Sequence, residues 1–127
     1  MEFNLITGIK HKEEKIVTMK DTALVFGSGE AEVFATPMMI GLMEAASMNA
    51  VKSYLPDGFS TVGISVNIKH ISATSVGKKV WAEAELIEVD RKRLVFRVEA
   101  FDQDKKIGEG NHERFIIDEK KFMDNLN

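Results

Sequence analysis

The stretch Phe34–Gly58, FATPMMIGLMEAASMNAVKSYLPDG, decides the fold. Pro37 suits the first position of a helix, where its missing N–H would be unpaired in any case, and Thr36 before it is a candidate N-cap. The PDG motif at the far end is typical of a helix stop, so the pattern predicts a helix that runs to about Leu55. Apolar side chains point in nearly every direction around this helix, which predicts that it is buried.

Four later stretches alternate apolar and polar residues, as half-buried strands do. The first of these strands, 60–70, is predicted to share one face among Val62, Ile64, Val66, Ile68 and His70. The other three strands are predicted at 80–89, 94–101 and 106–117, with a short terminal helix at 118–126. Before the long helix, the pattern predicts an extended segment over 13–26 that is broken near Lys20-Asp21, and a loop over 27–30.

The order of these elements indicates the α+β class and a single domain over residues 1–127. Short turns join the four later strands, so neighbours in the sheet are expected to be antiparallel. An antiparallel sheet with one apolar face can curl around one long central helix, which is the hotdog arrangement. Such a sheet leaves an open edge and part of the helix uncovered, and a homodimer or a higher homo-oligomer is therefore expected.

Composition argues against several classes of protein. The net charge of −3 disfavours a nucleic-acid binder, and the absence of cysteine excludes disulfides and thiolate chemistry. The three histidines are too widely spread in the sequence for a metal site. The sequence also contains no Gly-rich phosphate-binding loop, which would have indicated a cofactor. We find no membrane span and no signal peptide, so the expected location is the cytoplasm.

Glu44 is the one charged residue in the middle of the apolar helix. A carboxylate there can perform acid–base chemistry, or it can reach solvent or pair with a buried arginine. His70 is predicted to point toward the helix, where a histidine is most often a core side chain with satisfied hydrogen bonds. Together, however, Glu44 and His70 form an acid–imidazole pair directed at one helix–sheet layer, which favours a catalytic site.

Thr36 marks the N-terminus of the helix, where free N–H groups can stabilise an oxyanion. Backbone N–H groups near Gly41 or Gly63 are further candidates for this role. Eight residues along a continuous helix span about 12 Å, so Thr36 and Glu44 of one helix cannot touch. A shared site therefore requires a bend after Thr36 or a group from a partner subunit.

The last strand carries a second polar group, His112 and Arg114, which alternation places on one face. The plain interpretation of this group is an exposed cluster at a sheet edge. Arg114 is also a candidate counter-ion for Glu44.

Three segments, EVFATPMMIGLMEAASMNAVKSYL, VNIKHISATSVG and IGEGNHERFII, resemble the fluoroacetyl-CoA thioesterase group of hotdog proteins over about residues 31–117. The resemblance implies a catalytic set of Thr36, Glu44 and His70, and it matches Gly110 and Arg114 in the last strand. The candidate substrate-binding residues are Phe34, Gly41, Gly63 and Arg114.

The sequence departs from the group at one place. The fluoroacetyl-selective member has an aromatic lid before the helix, whereas this chain has GSGE at 27–30 with Phe26 and Phe34 as the nearby aromatics. The resemblance therefore implies thioester hydrolysis rather than fluoroacetyl selectivity. The predicted function is hydrolysis of a small acyl-CoA to the free acid and CoA, without a cofactor, at a site near a dimer interface. The alternatives are a hotdog hydratase or dehydratase and a non-catalytic acyl-CoA-binding module.

Overall fold

The computed structural model describes residues 3–126. The strands are β1 (Lys10–Ile16), β2 (Phe59–His70), β3 (Lys79–Asp90), β4 (Arg93–Asp102) and β5 (Lys106–Asp118). The helices are α1 (Ala23–Phe26), α2 (Thr36–Lys52) and α3 (Glu119–Asp124), with a 3₁₀ turn at Met19–Asp21. No helix within the described residues is long and apolar enough to cross a membrane.

The five strands form one antiparallel sheet in the order β1-β3-β4-β5-β2, and α2 packs on its inner face. This arrangement confirms the predicted hotdog architecture. The alternation of β3 and β4 is also confirmed, because every second residue over 80–86 and over 94–100 is apolar and buried: Val80, Ala82, Ala84, Leu86, Leu94, Phe96, Val98 and Ala100. From the helix, Met39, Met43 and Ala46 pack against these side chains.

The segment before α2 differs in part from the prediction. The predicted break near Lys20-Asp21 is confirmed, because a 3₁₀ turn lies at Met19–Asp21. The extended conformation over the rest of 13–26 is wrong after Ile16, where β1 ends, because α1 follows the turn. Thr22 stabilises this local structure, since its hydroxyl accepts a hydrogen bond from Val25 N–H at the start of α1. The loop over 27–30 is confirmed.

Strand β2 contains a bulge that alternation did not reveal. The pairing with β5 shifts between Gly63 and Ser65. Val62 pairs with the exposed Phe115 on the outer face, whereas Val66 pairs with the buried His112 on the inner face. The prediction of one shared face for the whole strand is therefore wrong at Val62, because the extra residue exchanges the two faces.

One side of α2 is not covered within the chain. Gly41, Glu44 and Met48 follow helical spacing along this side, and each is exposed or only partly buried. The prediction that part of the helix is uncovered in a single chain is thus confirmed. Beside this face runs β2, an edge strand on which Ile64 and Val66 are 51% and 46% exposed. The open helix face and the open sheet edge therefore form one apolar surface.

Candidate active site

Thr36 and His70 meet at the N-terminus of α2. The helix begins at Thr36, with Ala35 as the N-cap, so the predicted N-cap role of Thr36 is wrong. The helix also ends at Lys52 rather than at about Leu55. Because the Thr36 hydroxyl does not cap the helix, it is available to His70, and Thr36 Oγ1 lies 2.7 Å from His70 Nδ1.

His70 is held in its neutral form. Burial lowers the pKa of His70, and a hydrogen bond with the backbone of Ser72 opposes this shift without reversing it. Nε2 of the ring is buried and has no hydrogen-bond partner among residues 3–126. A neutral imidazole against a hydroxyl can orient that hydroxyl and exchange a proton with it.

A pocket of about 360 Å³ opens at this pair. Its walls include Thr36, His70, Phe34 and Ser72, together with side chains of α1 and of the loop before α2. Phe34 is 1% exposed, so it forms a fixed wall rather than a mobile lid.

The pocket wall is anchored by a buried carboxylate at the end of β4. The Thr74 carbonyl accepts a hydrogen bond from Phe34 N–H, and the Thr74 hydroxyl donates to Asp102 at 2.8 Å. Burial alone would raise the pKa of Asp102, but hydrogen bonds from Lys105, from backbone N–H groups and from Thr74 lower it to about 2. The charged Asp102 therefore ties the loop after β2 to Phe34.

Glu44 lies in a second polar group, farther along α2. Its Oε2 is 3.8 Å from Nη1 of Arg114, and its side chain is 41% exposed. Gly63 makes this approach possible, because a Cβ there would lie 3.0 Å from Glu44 Oε2. The predicted counter-ion role of Arg114 is consistent with this position.

His112 and Arg114 share the inner face of β5, as alternation predicts, but they are not an exposed cluster. They are 1% and 6% exposed, so the interpretation of an edge cluster is wrong. Arg114 donates from Nε to Thr61 Oγ1 at 2.7 Å and from Nη2 to the Thr61 carbonyl at 2.8 Å. Its Nη1 lies 3.2 Å from Nε2 of His112.

The chain therefore holds two separate groups of candidate site residues. We call Thr36 and His70 the Thr36 group, and Glu44 with Gly63 and Arg114 the Glu44 group. The continuous helix separates Thr36 from Glu44 by about 12 Å, as the sequence predicts, and no bend after Thr36 shortens this distance. The remaining candidate, Gly41, lies on the exposed helix face, and apart from its chain neighbours and its own helix backbone no described atom lies within 4 Å of the position that its Cβ would take.

A family described as fluoroacetyl-CoA-specific thioesterases matches residues 17–120. The chain belongs to this family. It is 44% identical over 91 residues to the fluoroacetyl-CoA thioesterase of Streptantibioticus cattleyicolor, a match that covers 72% of this chain and 66% of that relative. The matched part is thus just under two thirds of the relative's length.

Two solved structures of similar proteins share nearly the whole fold. A variant of the fluoroacetyl-CoA-specific thioesterase in complex with fluoroacetate and CoA is 35% identical, with a TM-score of 0.88 over 93% of this chain and 99% of that chain. A thioesterase superfamily member from Thermus thermophilus is 26% identical, with a TM-score of 0.88 over 95% of this chain and 90% of that chain.

Proposed function

We propose that this protein is an acyl-CoA thioesterase that hydrolyses a small acyl-CoA to the free acid and CoA. The observation that carries this proposal is the 2.7 Å contact between Thr36 and His70 at the mouth of a pocket, in a family of thioesterases. Glu44, the third proposed catalytic residue, supplies a carboxylate that is partly open to solvent.

The proposed chemistry divides between the two groups. Glu44 either takes a proton from a water that attacks the thioester carbonyl, or attacks that carbon itself to form an anhydride that water then cleaves. In both routes the C–S bond breaks and the sulfur leaves as a thiolate, which takes up a proton. Thr36 donates to the developing oxyanion, because a hydroxyl can donate one hydrogen bond while it accepts another from His70.

We further propose that a homodimer completes the site. Edge strand β2 has an unpaired side and an exposed apolar surface, which a second copy would cover. In a twofold antiparallel pair centred near Val66, the segment around His70 of one copy lies opposite the segment around Gly63 of the other. The Thr36 group of one subunit would then face the Glu44 group of its partner. This removes the 12 Å separation that prevents both groups of one chain from acting on one thioester.

The proposed substrate is a CoA thioester with a small acyl group. The pocket at Thr36 is modest in volume, and the buried Phe34 limits its depth. The loop over 27–30 supplies no aromatic lid, so we expect no strong preference for a fluorinated over an unfluorinated acyl group. We also expect no cofactor, no nucleic-acid or membrane partner, and a cytoplasmic location.

The test is release of CoA thiol from acetyl-, fluoroacetyl-, propionyl-, butyryl- and decanoyl-CoA by the purified protein. Hydrolysis of the short acyl-CoAs is the expected result, with decanoyl-CoA the poorest substrate. Loss of absorbance of crotonyl-CoA without thiol release would instead identify a hydratase. CoA binding measured by calorimetry, without turnover of any thioester, would identify a binding module.

A further inference from the structure

His112 is a buried polar side chain beside the Glu44 group, and the proposed chemistry does not use it. It is 1% exposed and lies between β2 and Arg114 on the inner face of β5. Its Nδ1 is 2.9 Å from the carbonyl oxygen of Ser65, and its Nε2 is 3.2 Å from Nη1 of Arg114. Both ring nitrogens are therefore engaged.

These two partners determine where the ring carries its proton. A carbonyl can only accept a hydrogen bond, so Nδ1 must donate to Ser65. A guanidinium can only donate, so Nε2 must be unprotonated and accept from Arg114. His112 is thus the neutral Nδ1–H tautomer. Burial lowers its pKa and so does the charge of Arg114, while the Ser65 carbonyl, Glu44 and Glu113 oppose the shift.

The bond from His112 also determines which way Arg114 presents its charge. Thr61 accepts from Nε and from Nη2, and His112 accepts from Nη1, so three anchors fix the guanidinium plane. Glu44 Oε2 stands 3.8 Å from the same Nη1, which is beyond hydrogen-bond distance. The carboxylate therefore has a positive charge beside it but no direct bond to that charge.

We propose that His112 is a positioning residue that keeps Arg114 from forming a direct hydrogen bond to Glu44. This inference rests on the proposed function, since it concerns the reactivity of Glu44. A carboxylate bonded directly to a guanidinium is a weaker base and a weaker nucleophile than one that is free. The bond from Nη1 to His112 holds the guanidinium in a position where the second hydrogen of Nη1 does not reach Glu44, 3.8 Å away. The lone pairs of Glu44 then stay available for water or for the thioester carbon.

Two substitutions at His112 separate its two hydrogen bonds. His112→Gln can place its amide oxygen near the position of Nε2 and keep an acceptor for Arg114. His112→Asn can place its amide nitrogen near the position of Nδ1, which keeps the bond to Ser65 but removes the acceptor. In the Asn variant the guanidinium loses one of its three anchors and can move toward Glu44, which closes the 3.8 Å gap between Nη1 and Oε2 to hydrogen-bond distance.

We expect kcat for thiol release to fall by about 10- to 100-fold in His112→Asn, with KM little changed, because a charge-assisted bond now restrains Glu44. The acid limb of its pH–rate profile should move to lower pH. His112→Gln should stay within about threefold of the wild type. His11→Asn is the matched control, since His11 lies on β1 at the opposite edge of the sheet, and it should leave kcat unchanged.

Equal losses in the Asn and Gln variants, or an acid limb that does not move, would overturn the positioning role while the wild type remains a thioesterase. Failure of the wild type to release thiol would overturn the proposed function instead. The tautomer can be measured without any variant, by ¹⁵N NMR of histidine-labelled wild type at neutral pH. Protonated Nδ1 with bare Nε2 is expected for His112, and protonated Nε2 would refute the inference even if His112→Asn does not fold.

Discussion

A dimer that pairs a subunit lacking His70 with a subunit lacking Glu44 tests whether the Thr36 group and the Glu44 group of different subunits form one active site. Thr36 and Glu44 are eight residues apart on one unbroken helix, about 12 Å along its axis. Since Thr36 holds His70 at 2.7 Å, His70 belongs to the same end of the helix as Thr36. One thioester carbon cannot lie within about 3.5 Å of both ends, which is the spacing that reaction requires.

The assay uses His70→Ala and Glu44→Gln chains that carry different affinity tags, expressed together and purified through both tags. Each variant alone should release almost no thiol. In the mixed dimer, one site receives both substitutions and the other receives neither. The mixed dimer should therefore show about half of the wild-type kcat per dimer, because one of its two sites is intact.

The reverse pairing is the matched control. A wild-type subunit paired with a His70→Ala/Glu44→Gln subunit places one substitution in each shared site, and this dimer should be inactive. If both groups of one chain formed a complete site, the results would be exchanged, with the control half-active and the mixed dimer inactive. That exchange would refute the shared site.

Three further predictions follow from close contacts and from one perturbed carboxyl. Gly63→Ala places a Cβ 3.0 Å from Glu44 Oε2, so the carboxylate must shift and kcat/KM should fall by about 10-fold or more; unchanged kinetics would show that the carboxylate position is not critical. Gly108→Ala places a Cβ 2.6 Å from Sδ and Cε of the buried Met39, and urea unfolding should show a loss of about 1–3 kcal/mol, whereas an unchanged midpoint would contradict the packing. The pKa of Asp102 is about 2 in the folded protein against 3.8 for the free group, so its stabilisation is complete above about pH 4 and is lost as the pH falls toward 2. Asp102→Asn should therefore cost about 2 kcal/mol at pH 7 and little at pH 2, and equal costs at the two pH values would contradict this.

The parts of the fold with strong periodicity could be predicted from the sequence. Strands β3 and β4 alternate cleanly because one face packs on α2 and the other meets solvent. Helix α2 could be found from Pro37 and its apolar run, although its last turn ends at Lys52, four residues before Pro56. Helix α1 has only four residues, which is too short for a period to be detected.

The bulge in β2 could not be found by alternation. Val62 and Val66 are both apolar, so the sequence looks the same whether or not the register shifts between Gly63 and Ser65. Gly63 itself is the signal that was available, because a glycine inside a strand often marks a bulge or a close approach. Here it marks both.

The site could be predicted in part. The contact between Thr36 and His70 joins residues 34 apart in the sequence, and periodicity gives each residue a face but no partner. The sequence favours a surface position for His112 and Arg114, because polar side chains are usually exposed. Their burial depends on Thr61 and on the Ser65 carbonyl, whose positions are fixed by the pairing of β2 with β5 and not by local sequence.

The most direct test of the proposed mechanism is thiol release from short acyl-CoAs by the wild type and by Glu44→Gln, measured side by side. The substitution keeps the size of the side chain and removes only its charge and its basicity, so the variant should fold with an unchanged Tm. We predict that the wild type hydrolyses the thioesters and that kcat falls by at least about 100-fold in the variant. A folded Glu44→Gln protein with full turnover would show that the acid is structural and would contradict the mechanism proposed for this site.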